Sequence, residues 1–91
     1  MTRTISLLGS PGSIGRQTLE VARDLGLSVA ALTANSSVDL LEQQAREFSP
    51  RLVVLYDGDA AREMRSRLAD TKIEVLSGME GLLVAATMDE A

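Results

Sequence analysis

The stretch Ile5-Ser6-Leu7-Leu8-Gly9-Ser10-Pro11-Gly12-Ser13-Ile14-Gly15 narrows the folds open to this chain more than any other. An apolar run ends in three glycines spaced Gly-x-x-Gly-x-x-Gly, and a helical pattern starts at once. Strand, tight turn and helix start are compressed into one short segment. Such glycines allow backbone angles closed to other residues, let the main chain approach a pyrophosphate, and keep helix and strand closely packed. The first helical turn then offers its N–H groups, with the helix dipole behind them, to phosphate oxygens.

Gly9, Ser10, Pro11, Gly12, Ser13 and Ile14 are therefore candidate cofactor-binding residues. Gly12, Ser13 and Ile14 are placed to offer N–H groups, and Ser10 and Ser13 add hydroxyls. Pro11 has no N–H to donate and stiffens the loop. The bland alternative is a strand-to-helix turn that needs its glycines only for packing. The context favours a nucleotide, because the motif directly follows a strand and opens a helix.

The rest of the chain repeats one unit. Short apolar runs at Thr4–Leu8, Leu27–Leu32, Leu52–Tyr56 and Ile73–Leu76 read as strands covered on both faces. Between them lie helical stripes: Ile14, Thr18, Val21, Ala22 and Leu25, then Val38, Leu41, Ala45 and Phe48, then Ala61, Met64 and Leu68. Met79, Leu82, Leu83 and Ala86 form a fourth stripe. Gly26 sits where a helix C-cap glycine belongs, and Ser49-Pro50 ends the second helix. Ser36 with Asp39, and Ser77 with Glu80, fit capping boxes.

Four βα units in succession predict an α/β fold, a Rossmann-like parallel sheet with helices on both faces. Right-handed crossovers lay the first three strands in the order 3-2-1. The fourth either extends that edge or begins the other side. Because the pattern stops after a helix, residues 1–91 are expected to be the N-terminal part of an incomplete doubly wound domain.

Composition removes several function classes. Nine basic against thirteen acidic residues leave a net charge of −4, with no basic cluster to attract nucleic acid or an anionic membrane. The chain has no cysteine and no histidine, so disulfides, thiolate chemistry and the commonest zinc ligands are absent. No signal peptide or bilayer-spanning run stands out, and the cytoplasm is the expected compartment. Phe48 and Tyr56 are the only aromatic residues, so the core is expected to be aliphatic. Asp57 and Asp59 read as loop and cap residues and make a poor metal site. Arg46, Arg62 and Arg65 to Arg67 read as solvated surface. No residue presents itself as a general acid, base or nucleophile with a partner, so no catalytic residue and no metal ligand is assigned.

The end of the second strand discriminates between cofactors. An NAD site usually places Asp or Glu about 20 residues after the glycine motif, bonded to the ribose 2′-hydroxyl. Here the chain reads Ala31-Leu32-Thr33-Ala34-Asn35-Ser36-Ser37, without a carboxylate. The absence favours NADP, and Asn35, Ser36 and Ser37 are candidates for holding its 2′-phosphate through hydroxyls and helix N-terminal amides. The same turn is also what an ordinary N-cap requires.

Gly9 to Gly15, followed by Thr18-Leu19, resembles the GSTGSIG…TL opening of the 1-deoxy-D-xylulose 5-phosphate reductoisomerase family. Ala31 to Asn35, Gln44 and Glu47-Phe48-Ser49-Pro50-Arg51 are similar to that family's second strand and helix. Glu74 to Gly78 with Glu80-Gly81-Leu82 is similar to its fourth. The resemblance implies an NADPH-dependent enzyme of non-mevalonate isoprenoid biosynthesis that uses Mg²⁺ or Mn²⁺. It implies cofactor phosphates at Ser10 to Ile14 and the adenosine 2′-phosphate at Asn35, Ser36 and Ser37. The chemistry and the metal ligands would lie beyond residue 91, leaving this chain inactive alone. Homodimerisation is implied for the full-length protein, and self-association is expected of this part. Two departures stand out: Pro11 replaces a usual threonine, and Asn35-Ser36-Ser37 replaces Gly, Lys or Arg, and Asn. Rival readings are an extended short-chain dehydrogenase or epimerase, which would need a Tyr-x-x-x-Lys pair, and a free-standing nucleotide-binding module.

Overall fold

The computed structural model describes residues 4–7, 9 and 12–87. Eight elements alternate along the chain: β1 (Thr4–Leu7), α1 (Ser13–Leu25), β2 (Ser28–Ala34), α2 (Val38–Phe48), β3 (Leu52–Leu55), α3 (Gly58–Arg67), β4 (Glu74–Ser77) and α4 (Gly78–Thr87). The strands form one parallel sheet in the order β1-β2-β3-β4, so β4 extends the edge beyond β3. That resolves the position the periodicity left open.

Each strand pairs with its neighbour in sequence. Leu32 sits opposite Val53, and Val53 opposite Val75. Between β1 and β2 the register slips by one residue: Ile5 faces Val29, whereas Ser6 faces Ala31. Such an irregularity lets two residues three apart share a face. Val29 and Leu32 accordingly both enter the larger core.

That core joins β2 and β3 to the first three helices through Leu19, Leu32, Leu41, Val53, Leu55 and Met64. The smaller core lies on the opposite face, where Ala31, Leu52 and Val54 meet Ala85 of α4, with Leu76 and Leu82 packed alongside. Helices thus cover both faces. All of β3 and six of the seven residues of β2 are buried, which accounts for apolar runs without alternation.

Local signals place most helix ends. Gly26 caps α1 in the left-handed conformation, with φ 69°. Asp57 caps α3, its carboxylate accepting the Ala60 N–H at 2.9 Å. The Ser36–Asp39 box does not form. Ser37 is the N-cap of α2 and makes no side-chain cap bond. Asp39 instead accepts a hydrogen bond from Arg67 of α3 at 2.6 Å, a charge-assisted partner that a backbone amide does not match.

Two helix faces differ from the periodicity. Among the described residues of α1, Gly15, Leu19 and Ala22 are buried, while Val21 and Leu25 are 53% and 67% exposed. Of the expected stripe Ile14, Thr18, Val21, Ala22 and Leu25, Ala22 is buried and Thr18 half-buried, and the Ile14 side chain lies outside the described residues. Val21 and Leu25 lie roughly a quarter turn or more from the face that meets the sheet. In α4, Gly81 and Ala85 are buried, and Met79 and Leu83 face outward. Small residues win because α4 lies almost on the sheet. A Cβ on Gly81 would stand 2.8 Å from Val54 Cγ1 and 3.0 Å from Leu76 Cβ.

Surface ion pairs knit the helices of the larger face. Arg23 of α1 pairs with Glu47 of α2 and lies over the Phe48 ring, 5.8 Å from its centroid. Arg46 bonds Glu42 at 3.0 Å, Asp70 at 3.0 and 3.1 Å, and the Arg67 carbonyl at 2.8 Å. Arg67 bonds Asp39, Glu42 and Glu63. Exposed pairs contribute little one at a time, and a shared network contributes more.

Hydrogen bonds from Arg46, then Arg67, hold the Glu42 carboxyl below its ordinary pKa, and Arg46 does the same for Asp70. A folded-state pKa depressed in this way stabilises the fold fully above the unfolded pKa, and that share is lost as pH falls through the folded value. Stability should therefore decline as pH drops below about 4.5. Urea titrations across this range should show a shallower acid decline for Glu42→Gln and Asp70→Asn. Gly81→Ala should destabilise by about 1–3 kcal/mol in the same assay, although alanine is the better helix former, because stiff Val54 must move.

Candidate nucleotide site

The C-terminal ends of β1, β2 and β3 gather the candidate residues. Gly9 turns the chain after β1 with φ +72°, a conformation that side chains disfavour. Its N–H donates to Thr33 Oγ1 at 2.8 Å, and its carbonyl accepts the Gly12 N–H at 3.1 Å. Thr33 is buried at 2% exposure near the end of β2. The glycine turn is thereby tied to the neighbouring strand and closed on itself.

This bonding revises the donor list. The N–H groups of Gly9 and Gly12 are engaged within the turn. The first intrahelical bond runs from the Arg16 N–H to the Gly12 carbonyl at 2.9 Å. Ser13, Ile14 and Gly15 precede it, and their N–H groups are the ones a helix start directs outward. Gly15 thus replaces Gly12 among the expected donors. Ser10 and Pro11 lie outside the described residues, and only the backbone of Ser13 and Ile14 is described.

Asn35, Ser36 and Ser37 follow β2 directly and are all exposed. The Asn35 carbonyl accepts the Asp57 N–H at 2.9 Å, and the Ala34 carbonyl accepts the Tyr56 N–H at 2.9 Å. The ladder between β2 and β3 therefore runs on past both strands. A cavity of about 490 Å³ opens there, lined by Gly9, Thr33, Asn35, Tyr56, Leu82 and Leu83 among others. Gly9 and Asn35 share this cavity, whereas Ser36 and Ser37 line a second one of about 470 Å³ with Asp39, Glu63 and Arg67.

Sequence reading missed several of these neighbours. Tyr56 directly follows β3, and Leu82 and Leu83 belong to α4, far along the chain from the glycine motif. Thr33 could have been found as the polar residue near the C-terminal end of β2, after the apolar run Val29–Leu32. Arg67, expected on a solvated face, reaches the start of α2. It brings no net positive charge, because Asp39, Glu42 and Glu63 all bond it. Among the described residues, no group of three or more His, Cys, Asp or Glu could hold a metal ion. No helix among them is long and apolar enough to cross a membrane.

A parallel sheet covered by helices on both faces, with a glycine turn opening α1 at the strand ends, defines an α/β protein of Rossmann-like architecture. Residues 5–91 match the model of the 1-deoxy-D-xylulose 5-phosphate reductoisomerase family, and the chain belongs to that family. The reductoisomerase of Acetivibrio thermocellus is 52% identical over 88 residues, covering 97% of this chain and 23% of that protein. The Ruminiclostridium cellulolyticum enzyme is 50% identical over 91 residues, covering 100% and 24%. The solved reductoisomerase from Zymomonas mobilis in complex with NADPH superposes with a TM-score of 0.91 at 34% identity, covering 97% of this chain and 24% of that one. A reductoisomerase solved with NADPH, fosmidomycin and magnesium gives 0.88 at 34% identity, covering 98% and 22%. The chain spans about a quarter of the length of the curated relatives it matches.

The Gly9–Thr33 bond yields a direct test. Thr33→Val preserves the shape and strands the Gly9 N–H, which should cost about 1–3 kcal/mol in urea unfolding. Amide exchange at Gly9 should accelerate in the same variant.

Proposed function

We propose that this chain is the N-terminal portion of the NADPH-binding domain of a 1-deoxy-D-xylulose 5-phosphate reductoisomerase. That enzyme converts 1-deoxy-D-xylulose 5-phosphate to 2-C-methyl-D-erythritol 4-phosphate in non-mevalonate isoprenoid biosynthesis. The observation that carries the reading is the glycine turn, locked by Thr33 and opening α1 beside a cavity that Asn35 also lines. The residues present fit the adenosine and pyrophosphate half of the cofactor. The loop from Gly9 to Ile14 would hold the pyrophosphate, with the amides of Ser13, Ile14 and Gly15 as donors. Asn35, Ser36 and Ser37 would stand around the 2′-phosphate at the start of α2.

Bound NADPH supplies the hydride for reduction. The residues of this chain bind and orient it, and the site for substrate and Mg²⁺ or Mn²⁺ belongs to the remainder of the enzyme. The chain alone turns nothing over. We place the enzyme in the cytoplasm as a homodimer. Val21, Leu25, Met79, Leu83 and Val84, exposed here, favour self-association of this part. Nothing in the structure or among the relatives favours a short-chain dehydrogenase or a free-standing module.

Calorimetric titration of the chain with NADPH, NADH and ATP tests the reading. NADPH should bind about two- to fivefold more tightly than NADH, the preference a helix N-terminus gives an added phosphate without a paired cation. NADH binding as tight as NADPH would overturn the preference. A folded chain that binds none of the three would overturn the cofactor assignment.

A further inference from the structure

Tyr56 is half exposed at the end of β3, on the wall of the cavity of about 490 Å³. Its backbone is held from two sides. Its N–H donates to the Ala34 carbonyl, and the next residue, Asp57, donates its N–H to Asn35 while its carboxylate caps α3. The ring therefore hangs from a fixed strand end rather than from a loose loop. Leu82, Leu83 and Ala86 of α4 line the same cavity with aliphatic surface, and Gly9 brings the glycine turn to it. One aromatic wall, one aliphatic wall and a helix N-terminus nearby suit a flat heteroaromatic base joined through a sugar to phosphate.

We propose that Tyr56 is the stacking platform for the adenine ring of the dinucleotide, a positioning residue that sets the affinity of the adenosine half. The inference rests on the cofactor reading above and adds to it a contact that neither the glycine loop nor the Asn35–Ser37 turn provides. Base–aromatic stacking depends on the ring face rather than on hydrogen-bond pattern. The phenol hydroxyl is thus dispensable and the ring is not.

The chain holds one tyrosine and no tryptophan, so its ring resonances and emission report on this position alone. Adenosine 2′,5′-bisphosphate and nicotinamide mononucleotide should be titrated separately while the Tyr56 ring protons are followed by NMR. The adenosine compound should shift them upfield, and the nicotinamide compound should not. By calorimetry, Tyr56→Ala should weaken NADPH binding by about tenfold, and Tyr56→Phe should stay within about twofold of the parent chain. Circular dichroism checks that both variants are folded. If the parent chain binds NADPH while folded Tyr56→Ala binds it equally well, the stacking role is overturned and the cofactor reading stands. Equal losses in the Phe and Ala variants would assign the effect to the hydroxyl and also overturn stacking. A folded parent chain that binds neither NADPH nor the bisphosphate overturns both.

Discussion

The hydrogen bond from the Gly9 N–H to Thr33 Oγ1 is the constraint on which the site depends. A glycine at φ +72° has many alternatives in solution, because it lacks the Cβ that restricts other residues. Thr33 makes the selection from the neighbouring strand. A buried hydroxyl in an otherwise apolar strand is costly unless it is bonded, so the strand and the turn satisfy each other. Once Gly9 is fixed, its carbonyl closes on Gly12, and α1 starts with its amides already directed. The amides at the start of α1 are thereby held in place before any ligand arrives.

Around that lock the sheet is covered unequally. Three helices on one face share a core of leucine, valine and methionine, and an arginine–carboxylate network spans their outer surfaces. Among the described residues, α4 is the one helix on the other face, and it approaches through Gly81 and Ala85, residues without bulk. The difference in spacing leaves the cavity where it is. A helix held close by small residues brings Leu82 and Leu83 to the ends of β2 and β3, where they line one cavity with Tyr56.

Much of the fold was legible because its signals are local. The βα alternation, the Gly26 cap and the inward residues of α2 and α3 each follow from a few consecutive side chains. The apolar faces of α1 and α4 were misread for a common reason. Both helices carry apolar residues over a wide arc, and periodicity cannot tell which part of it meets the sheet. Contact was decided by Gly15 and Leu19 beside the expected Ala22 in one, and by Gly81 and Ala85 in the other. The glycines carry no side chain to register in a hydrophobic pattern. The site was legible only in its first half. Gly9 and Asn35 announced themselves, whereas Tyr56 and Leu82 enter by way of β3 and α4. Asp39 was assigned to a cap because its real partner, Arg67, stands on another helix.

The strand order has a consequence for how the chain assembles. Among the described residues, each strand pairs with the strand one βα unit away. Loop closure therefore costs about the same at each step, in a class of sheet whose non-local pairings usually make folding slow. β1 and β2 can meet as soon as α1 has been made, and each later unit docks on an edge already formed. The fold can grow in the direction of synthesis. The hydrogen bond between Gly9 and Thr33 closes with the first pair of strands, before β3 and β4 exist.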